Sequence, residues 1–269
     1  MRVGLSTACF YPETTERSLA LGRSLGFDLF EVFVNAQQEF SMRFMDKLCA
    51  YAEKHALKIV SLHPYSSGIE SILFFSGYSR RIADAVRQYE KYFKALSRLG
   101  GKYFTFHGAR KVMIDSYITA GEDEFDIYRR LCDAAAKYDV VLCQENVVWT
   151  KSSDIDYLER LKEAVPALSF TLDIKQARRA EVDLDAYLTA MADRLVNIHI
   201  SDYSACESCL LPGRGAMDYP AFFDKLRAMG YAGDVIIELY KKNYEQPDDL
   251  VAAKDFLQTA LGRTAAERK

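Results

Sequence analysis

Two apolar segments near the C-terminal end of the chain decide the fold: Val196-Asn197-Ile198-His199-Ile200-Ser201-Asp202 and Asp234-Val235-Ile236-Ile237-Glu238-Leu239-Tyr240. A near-continuous hydrophobic run of this length predicts a buried strand. Each run carries one side chain with metal-ligand chemistry near its C-terminal end, His199 in the first and Glu238 in the second. Burying such groups is costly unless they are paired or bound to a metal. The two segments therefore predict buried strands that contribute to one polar site.

Six further strand-like segments precede these two, and a helix-like segment follows each strand. The six are Val3–Ser6, Leu29–Val34, Lys58–Pro64, Tyr103–Gly108, Val140–Asn146 and Leu168–Asp173. The helices are predicted at Thr14–Leu25, Ser41–His55, Ser79–Leu99, Asp123–Tyr138, from a cap at Ser153 or Asp154 to Ala164, Asp183–Met191, Tyr219–Met229 and Asp248–Leu261. Eight strand–helix units in one chain are typical of a closed parallel barrel.

The competing architecture is an open, doubly wound sheet, which usually has a glycine-rich turn after its first strand. The segment Ser6–Phe10 has no glycine. No composition shift or linker-like stretch divides the chain. We therefore predict the α/β class and a (β/α)8 TIM barrel as a single domain over residues 1–262, with residues 263–269 as a short C-terminal tail.

Composition and charge limit the class of protein and its partners. The 269 residues are 49% hydrophobic and 27% charged, which is ordinary for a soluble globular protein. A net charge of −3 gives no general attraction to nucleic acid or to an anionic membrane. The N-terminal segment is too short and polar for a signal peptide, and the six cysteines are typical of buried thiols in a reducing compartment. We therefore expect a cytoplasmic protein that binds neither nucleic acid nor membrane.

Polar residues with catalytic chemistry occur at the C-terminal ends of the predicted strands. In chain order they are His63, His107, Glu145, Asp173, His199 and Glu238. In a (β/α)8 barrel the reactive groups lie at these strand ends. One such residue alone is more often a hydrogen-bonded structural group, but six in this pattern indicate an active site.

The chemistry of this set narrows the function. Within it, the three carboxylates and the His199 imidazole form an oxygen-rich ligand set that suits Mn²⁺, Mg²⁺ or Co²⁺, with Zn²⁺ as a further candidate. Four protein ligands around a six-coordinate ion leave two neighbouring positions, which a sugar carbonyl and its adjacent hydroxyl can occupy. The ion then polarises the carbonyl and stabilises an enediolate, while a ligand carboxylate with a free oxygen serves as the base.

Several segments resemble the xylose isomerase-like sugar isomerase/epimerase superfamily, which includes ketose 3-epimerases and endonuclease IV-like proteins. They are Gln144–Asn146, Leu172–Ala177, Asn197–Asp202, Leu211–Tyr219 and Ile237–Leu239, with weaker matches at Phe30–Val32 and Leu62–Pro64. The resemblance covers nearly the whole chain and is more specific in the second half. It implies a metal-dependent enzyme on this fold.

Residue by residue, the resemblance implies roles at the strand ends. The implied metal ligands are Glu145, Asp173, His199 and Glu238. Of these, Glu145 and Glu238 also face opposite sides of the sugar carbon and move its proton. Arg214 matches a position that contacts substrate, and His63 and His107 are expected to line the substrate pocket.

The chain departs from the family pattern after Asp173. Many relatives have a histidine three residues later, where this chain has Gln176, and Lys175 stands where glycine is common. Glutamine can hydrogen-bond a substrate hydroxyl but is a poor metal ligand, so we expect one divalent ion and no multinuclear zinc centre. Lys175 either points into the pocket or is a solvated residue at the strand end.

Four aromatic residues follow the third and fifth strands. They are Tyr65, Phe74, Phe75 and Trp149. They either form an apolar wall for a sugar face or pack the barrel mouth or a subunit interface.

Several hypotheses remain open at this stage. The first is a divalent-metal-dependent sugar isomerase or epimerase acting on a free sugar or a polyol-derived ketone. A lyase or dehydratase can use the same metal site on a keto-sugar or related compound, and a non-catalytic sugar-binding relative fits Gln176. A DNA-repair nuclease requires a basic groove and additional metal ligands, which the net charge and Gln176 do not favour. Barrels of this kind commonly form homo-oligomers, so we expect a dimer or tetramer.

Overall fold

The computed structural model describes residues 1–111 and 123–262, and the strands within these ranges form one closed barrel. In chain order they are β1 (Val3–Ser6), β2 (Leu29–Val34), β3 (Lys58–Pro64), β4 (Tyr103–Phe106), β5 (Val141–Glu145), β6 (Ser169–Asp173), β7 (Leu195–Ile200) and β8 (Asp234–Ile237). Each strand pairs in parallel with the next one along the chain. The barrel closes where β8 pairs in parallel with β1, with Gly4 opposite Ile236.

This architecture confirms the predicted (β/α)8 barrel as a single domain. A parallel barrel places the C-terminal ends of all its strands at one mouth, and the sequence places the candidate residues there. The predicted tail, residues 263–269, lies outside the described residues.

The helices lie around the barrel. They are α1 (Thr15–Ser24), α2 (Met42–Lys54), α3 (Glu70–Phe74), α4 (Ser79–Arg98), α5 (Glu124–Ala136), α6 (Ile155–Ala164), α7 (Ile174–Arg179), α8 (Leu184–Met191), α9 (Tyr219–Ala228) and α10 (Asp248–Gly262). The predicted caps hold: the Ser41 hydroxyl accepts the Phe44 N–H, and the Asp154 carboxylate accepts the Tyr157 N–H. Within residues 1–111 and 123–262, no helix has the length and apolarity needed to cross a membrane.

Two short helices, α3 and α7, are absent from the sequence prediction. Each begins within a few residues of a strand end, where six or fewer residues give too little hydrophobic periodicity to reveal a helix. Both helices lie at the barrel mouth. Each therefore places residues beside the site at that mouth.

The aromatic residues after β3 have different environments. Phe74 is fully buried and makes edge contacts with Tyr89 and Phe106, and Phe75 packs against Phe106 and Tyr128. These two residues belong to the core between the barrel and its helices. Tyr65 is exposed, with its hydroxyl donating to Gln37 Oε1 at 3.3 Å.

The barrel interior beneath the mouth is polar. Glu31 on β2, Ser61 on β3, Thr105 on β4 and Asn197 on β7 are all buried. Glu31 Oε2 accepts hydrogen bonds from the other three side chains, at 2.7 Å from Ser61 Oγ and at 3.3 Å from each of the others. A buried carboxylate is tolerated when it accepts several hydrogen bonds, and here the donors come from three strands. This layer supports the residues above it.

Candidate functional site

Four of the predicted residues meet at the C-terminal mouth of the barrel. Glu145 and Asp173 end β5 and β6, His199 is the last but one residue of β7, and Glu238 directly follows β8. One ligand atom of each lies within 4.8 Å of the others. Three of the side chains are buried, and the Glu238 side chain is 12% exposed. The structure therefore brings together the whole set that the family resemblance implied as metal ligands.

The atoms at the centre of this cluster fit a divalent cation. Glu145 Oε2, His199 Nδ1 and Glu238 Oε2 are buried, and among the described residues none of them makes a hydrogen bond of good geometry, although charged or polar groups lie close to each. His199 Nδ1 nevertheless lies 2.5 Å from a Glu238 oxygen and 3.4 Å from Glu145 Oε1. Buried polar atoms that converge without bonding to each other call for a shared partner. Three carboxylates and an imidazole are suitable donors for Mn²⁺, Co²⁺ or Zn²⁺.

Glu31 orients the imidazole of His199. Glu31 Oε2 lies 3.0 Å from His199 Nε2, so the hydrogen-bond network assigns the proton to Nε2 and directs Nδ1 at the carboxylates. A carboxylate behind a histidine is a common support for metal ligation because it fixes the ring and its tautomer. The sequence signal for Glu31 is a charged residue in the middle of the apolar run Leu29–Val34, and sequence analysis treated it only as part of a weak motif.

The same carboxylates set the charge of His199. Burial lowers the pKa of this imidazole, but the charges of Glu238 and Glu31 outweigh burial and raise the pKa well above its usual range. Ligation by Nδ1 requires that atom to carry no proton. Metal binding at His199 would therefore release a proton from the doubly protonated ring.

We expect Glu31→Gln to lower the affinity for Mn²⁺ by about 10- to 100-fold, the usual effect of losing the group behind a histidine ligand. Isothermal titration calorimetry, with Mn²⁺ added to chelator-treated protein, measures this affinity. Glu39→Gln is the matched control, because Glu39 is also a buried carboxylate but binds Thr15 Oγ1 and the Asn35 N–H, away from the cluster. Equal affinity losses in the two variants would contradict an orienting role for Glu31.

His63 and His107 lie beside the cluster, on the Glu145 side. Their Nε2 atoms are 2.9 Å apart, and His107 Nε2 lies 2.9 Å from Glu145 Oε2. Burial lowers the pKa of His107. With Glu145 the two histidines form a second group whose ligand atoms lie within 4.8 Å of one another. Phe33 stacks on His63 at 4.7 Å, and Trp149 makes an edge contact with His107 at 5.5 Å between ring centroids.

These contacts place His63 and His107 where pocket-lining residues were predicted, and their contact with substrate stays a prediction. Trp149 is the one of the four aromatic loop residues that lies against a candidate site residue. Helix α3 secures this side of the mouth, because Glu70 Oε2 accepts the N–H groups of His107 at 2.7 Å and Gly108 at 2.9 Å. Glu70 was not among the residues predicted from the sequence to support the site.

Helix α7 brings Lys175 into the cluster. The buried Lys175 ammonium contacts Asp173 Oδ2 and lies 3.4 Å from Glu238 Oε2. Burial lowers the pKa of Lys175, but the charges of Asp173 and Glu238 outweigh burial and raise it well above the usual range. Of the two alternatives for this residue, the structure selects the one in which it points into the pocket.

Gln176 lies on the same helix, and both its backbone N–H and its side-chain oxygen are hydrogen-bonded within the protein. Its N–H donates to Asp173 Oδ1 at 2.9 Å, and its side-chain Oε1 accepts the Val148 N–H at 3.3 Å. The Asp173 carboxylate thus caps α7 with one oxygen and faces the cluster with the other. The predicted contact between Gln176 and substrate remains a prediction.

The loop between β7 and α9 carries Arg214 and is organised by buried Asp202. The Asp202 carboxylate accepts four backbone N–H groups, those of Tyr203 (2.8 Å), Gly213 (2.9 Å), Gly215 (3.0 Å) and Met217 (3.1 Å). Arg214 is exposed. Its predicted substrate contact remains a prediction.

Asp202→Ala is expected to lower the free energy of unfolding by about 2–4 kcal/mol, because four N–H groups lose a charged acceptor. Urea denaturation followed by circular dichroism measures this change. Asp183→Ala is the control: the Asp183 side chain caps α8 by accepting one N–H, from Asp185. Its expected cost is about 1 kcal/mol. Equal losses in the two variants would rule out Asp202 as the organiser of the loop.

Comparison with known proteins identifies relatives along nearly the whole chain. Residues 19–260 match the sequence profile of the xylose isomerase-like TIM barrel family. The 3-dehydro-D-guloside 4-epimerase of Escherichia coli (strain K12) is 23% identical over 266 residues, which span 88% of this chain and 92% of that protein.

Two solved structures share the fold. L-ribulose 3-epimerase superposes with a TM-score of 0.76 at 18% identity, covering 97% of this chain and 94% of that one. The IolI protein with a bound zinc atom gives a TM-score of 0.76 at 16% identity, covering 97% and 98% of the two chains. The relatives of this chain thus include sugar epimerases. Because the family match covers most of the sequence, the chain belongs to the xylose isomerase-like TIM barrel family.

Proposed function

We propose that this protein is a divalent-metal-dependent sugar epimerase or isomerase that moves a proton at the carbon next to a carbonyl. One observation carries the proposal: Glu145, Asp173, His199 and Glu238, from four different strand ends, present ligand atoms within 4.8 Å of one another. The sugar epimerases among the relatives support the reaction class.

The proposed metal ligands are the four residues of this cluster. Glu145, Asp173, His199 and Glu238 would hold one divalent ion, which when bound supplies Lewis acidity that polarises a carbonyl and stabilises negative charge on its oxygen. Mn²⁺, Mg²⁺ and Co²⁺ suit the carboxylates, and the zinc atom bound by the IolI protein makes Zn²⁺ a further candidate.

Glu145 and Glu238 are the proposed acid and base. They come from β5 and from the end of β8, with β6 and β7 between them, so their carboxylates approach the mouth from different sides. One carboxylate removes the proton from the carbon, and the other returns a proton to the same carbon or to its neighbour. Return on the opposite face gives an epimer.

The proposed substrate is a small sugar or a polyol-derived ketone, with His63, His107, Gln176 and Arg214 as the proposed hydroxyl-binding residues. The 3-dehydro-D-guloside 4-epimerase among the relatives points to oxidised glycosides, and L-ribulose 3-epimerase points to free ketoses. We further propose a cytoplasmic homo-oligomer, a dimer or tetramer.

The test is solvent-proton exchange with defined sugars. Chelator-treated protein is reloaded with Mn²⁺, Co²⁺, Mg²⁺ or Zn²⁺ and incubated in D₂O with free ketoses and with 3-keto-glycosides, and products are followed by NMR. We expect metal-dependent incorporation of deuterium into an intact sugar at the carbon beside the carbonyl. The control is the same protein kept in chelator.

Other outcomes separate the alternatives. Loss of water or of an aglycone would indicate a lyase or dehydratase that uses the same site. Sugar binding without exchange would indicate a non-catalytic relative, in line with Gln176. Cleavage of DNA at an abasic site would place the protein with the nucleases of the family.

A further inference from the structure

The ammonium group of Lys175 lies within the four-ligand cluster. The Lys175 side chain is only 4% exposed, and its ammonium contacts Asp173 Oδ2 and lies 3.4 Å from Glu238 Oε2. Both carboxylates belong to the proposed ligand set. A lysine at this depth is held by its ion pairs, because an unpaired buried charge is strongly unfavourable.

The backbone of α7 keeps Lys175 in this place. The helix begins at Ile174, and the Gln176 N–H binds Asp173 Oδ1, which fixes the first turn against the same aspartate. The partly exposed Tyr240 ring lies 6.0 Å from the Lys175 ammonium. Lys175 is therefore built into the site by the fold around it.

The oxygens that Lys175 contacts show whether it only positions the two carboxylates or competes with a metal ion for them. Asp173 Oδ1 is used by α7, so Oδ2 is the oxygen that faces the cluster, 3.7 Å from His199 Nδ1. Glu238 Oε2 also faces the cluster, 2.5 Å from the same nitrogen. A lysine that only positioned these ligands would bind their outer oxygens, as Glu31 binds the outer nitrogen of His199. Lys175 instead approaches both inner oxygens.

We propose that Lys175 is a built-in competitor of the divalent ion, whose ammonium occupies the inner oxygens of Asp173 and Glu238 and weakens metal binding. A cation that enters the cluster must share these oxygens with the ammonium or displace it. Either arrangement is unfavourable, because two positive charges a few ångströms apart repel strongly at a buried site. This inference rests on the metal centre of the proposed function.

The test compares metal affinities of neutral variants at position 175. Lys175→Met and Lys175→Gln are titrated with Mn²⁺ after chelator treatment, by calorimetry, with folding checked by circular dichroism. We expect each to bind Mn²⁺ at least about tenfold more tightly than the original protein, because one nearby positive charge is removed. Two variants are used so that a folding defect in one leaves the other informative.

The matched control is Lys102→Met. Lys102 precedes β4, at the opposite end of the barrel, and its ammonium pairs with Asp139 at the surface. This variant also removes one positive charge and is expected to bind Mn²⁺ with the affinity of the original protein.

The outcomes distinguish this inference from the proposed function. Unchanged or weaker Mn²⁺ binding by both position-175 variants overturns competition by Lys175 and leaves the metal centre standing. If neither the original protein nor these variants bind Mn²⁺, Co²⁺ or Zn²⁺, the metal centre itself is wrong, and this inference is wrong with it.

Discussion

Replacement of Glu145 or Glu238 by glutamine is expected to lower the rate of sugar proton exchange by about 10²–10⁴-fold, the contribution of a positioned acid or base. Glutamine keeps the size of the side chain and one oxygen, but it cannot accept and return a proton. Both carboxylates lie at the centre of the cluster, within 3.4 Å of His199 Nδ1. The measurement is the rate of deuterium incorporation at saturating metal, with the bound metal quantified in each variant.

Glu39→Gln is the control for this pair, because it neutralises a buried carboxylate in the segment after β2 without touching the cluster. Glu145→Gln and Glu238→Gln should also differ from each other in which epimer exchanges, because each carboxylate serves one face of the carbon. A metal-loaded Glu145→Gln or Glu238→Gln protein that exchanges at the original rate would exclude that residue as acid or base.

Asp173→Asn should reduce the affinity for Mn²⁺ by more than about a hundredfold, beyond the range for residues that only support a ligand. The substitution removes a charge from the ligand set and leaves the Lys175 ammonium with one fewer anionic partner. Helix α7 should persist, because an asparagine oxygen can still accept the Gln176 N–H. The affinity is measured by calorimetric titration of chelator-treated protein.

Asp154→Asn is matched to this variant. Asp154 also caps a helix after a barrel strand, accepting the Tyr157 N–H at 3.0 Å, but it is exposed and lies outside the cluster. It is expected to leave Mn²⁺ binding unchanged. If Asp173→Asn bound Mn²⁺ as tightly as Asp154→Asn, Asp173 would not be a ligand.

The fold and the convergence of the four candidate residues were predictable because their signals are local. A buried strand reveals itself as an apolar run, and a titratable residue within such a run, like His199, marks a group that the interior must accommodate. The topology then does the rest, since the ends of parallel barrel strands share one mouth. Glu145, Asp173 and Glu238 are brought together by this rule, although long stretches of sequence separate them.

The residues that sequence analysis missed or left open depend on tertiary contacts. Lys175 follows Asp173 by two residues, and only the abrupt start of α7 turns its side chain into the cluster. Phe74 and Trp149 are both aromatic residues in segments that follow barrel strands, yet Phe74 packs in the core and Trp149 lies against His107. Glu31 stands out in the sequence as a charged residue within an apolar strand. Its partner His199 lies 168 residues later in the chain, so the sequence does not show that the two side chains meet.

The most direct test of the proposed metal centre is anomalous diffraction from crystals grown with Mn²⁺ or Zn²⁺ and without chelator. We expect one anomalous peak at the barrel mouth, within about 2.0–2.4 Å of side-chain atoms of Glu145, Asp173, His199 and Glu238. The absence of a peak at these residues, or an ion bound only elsewhere on the protein, would contradict it.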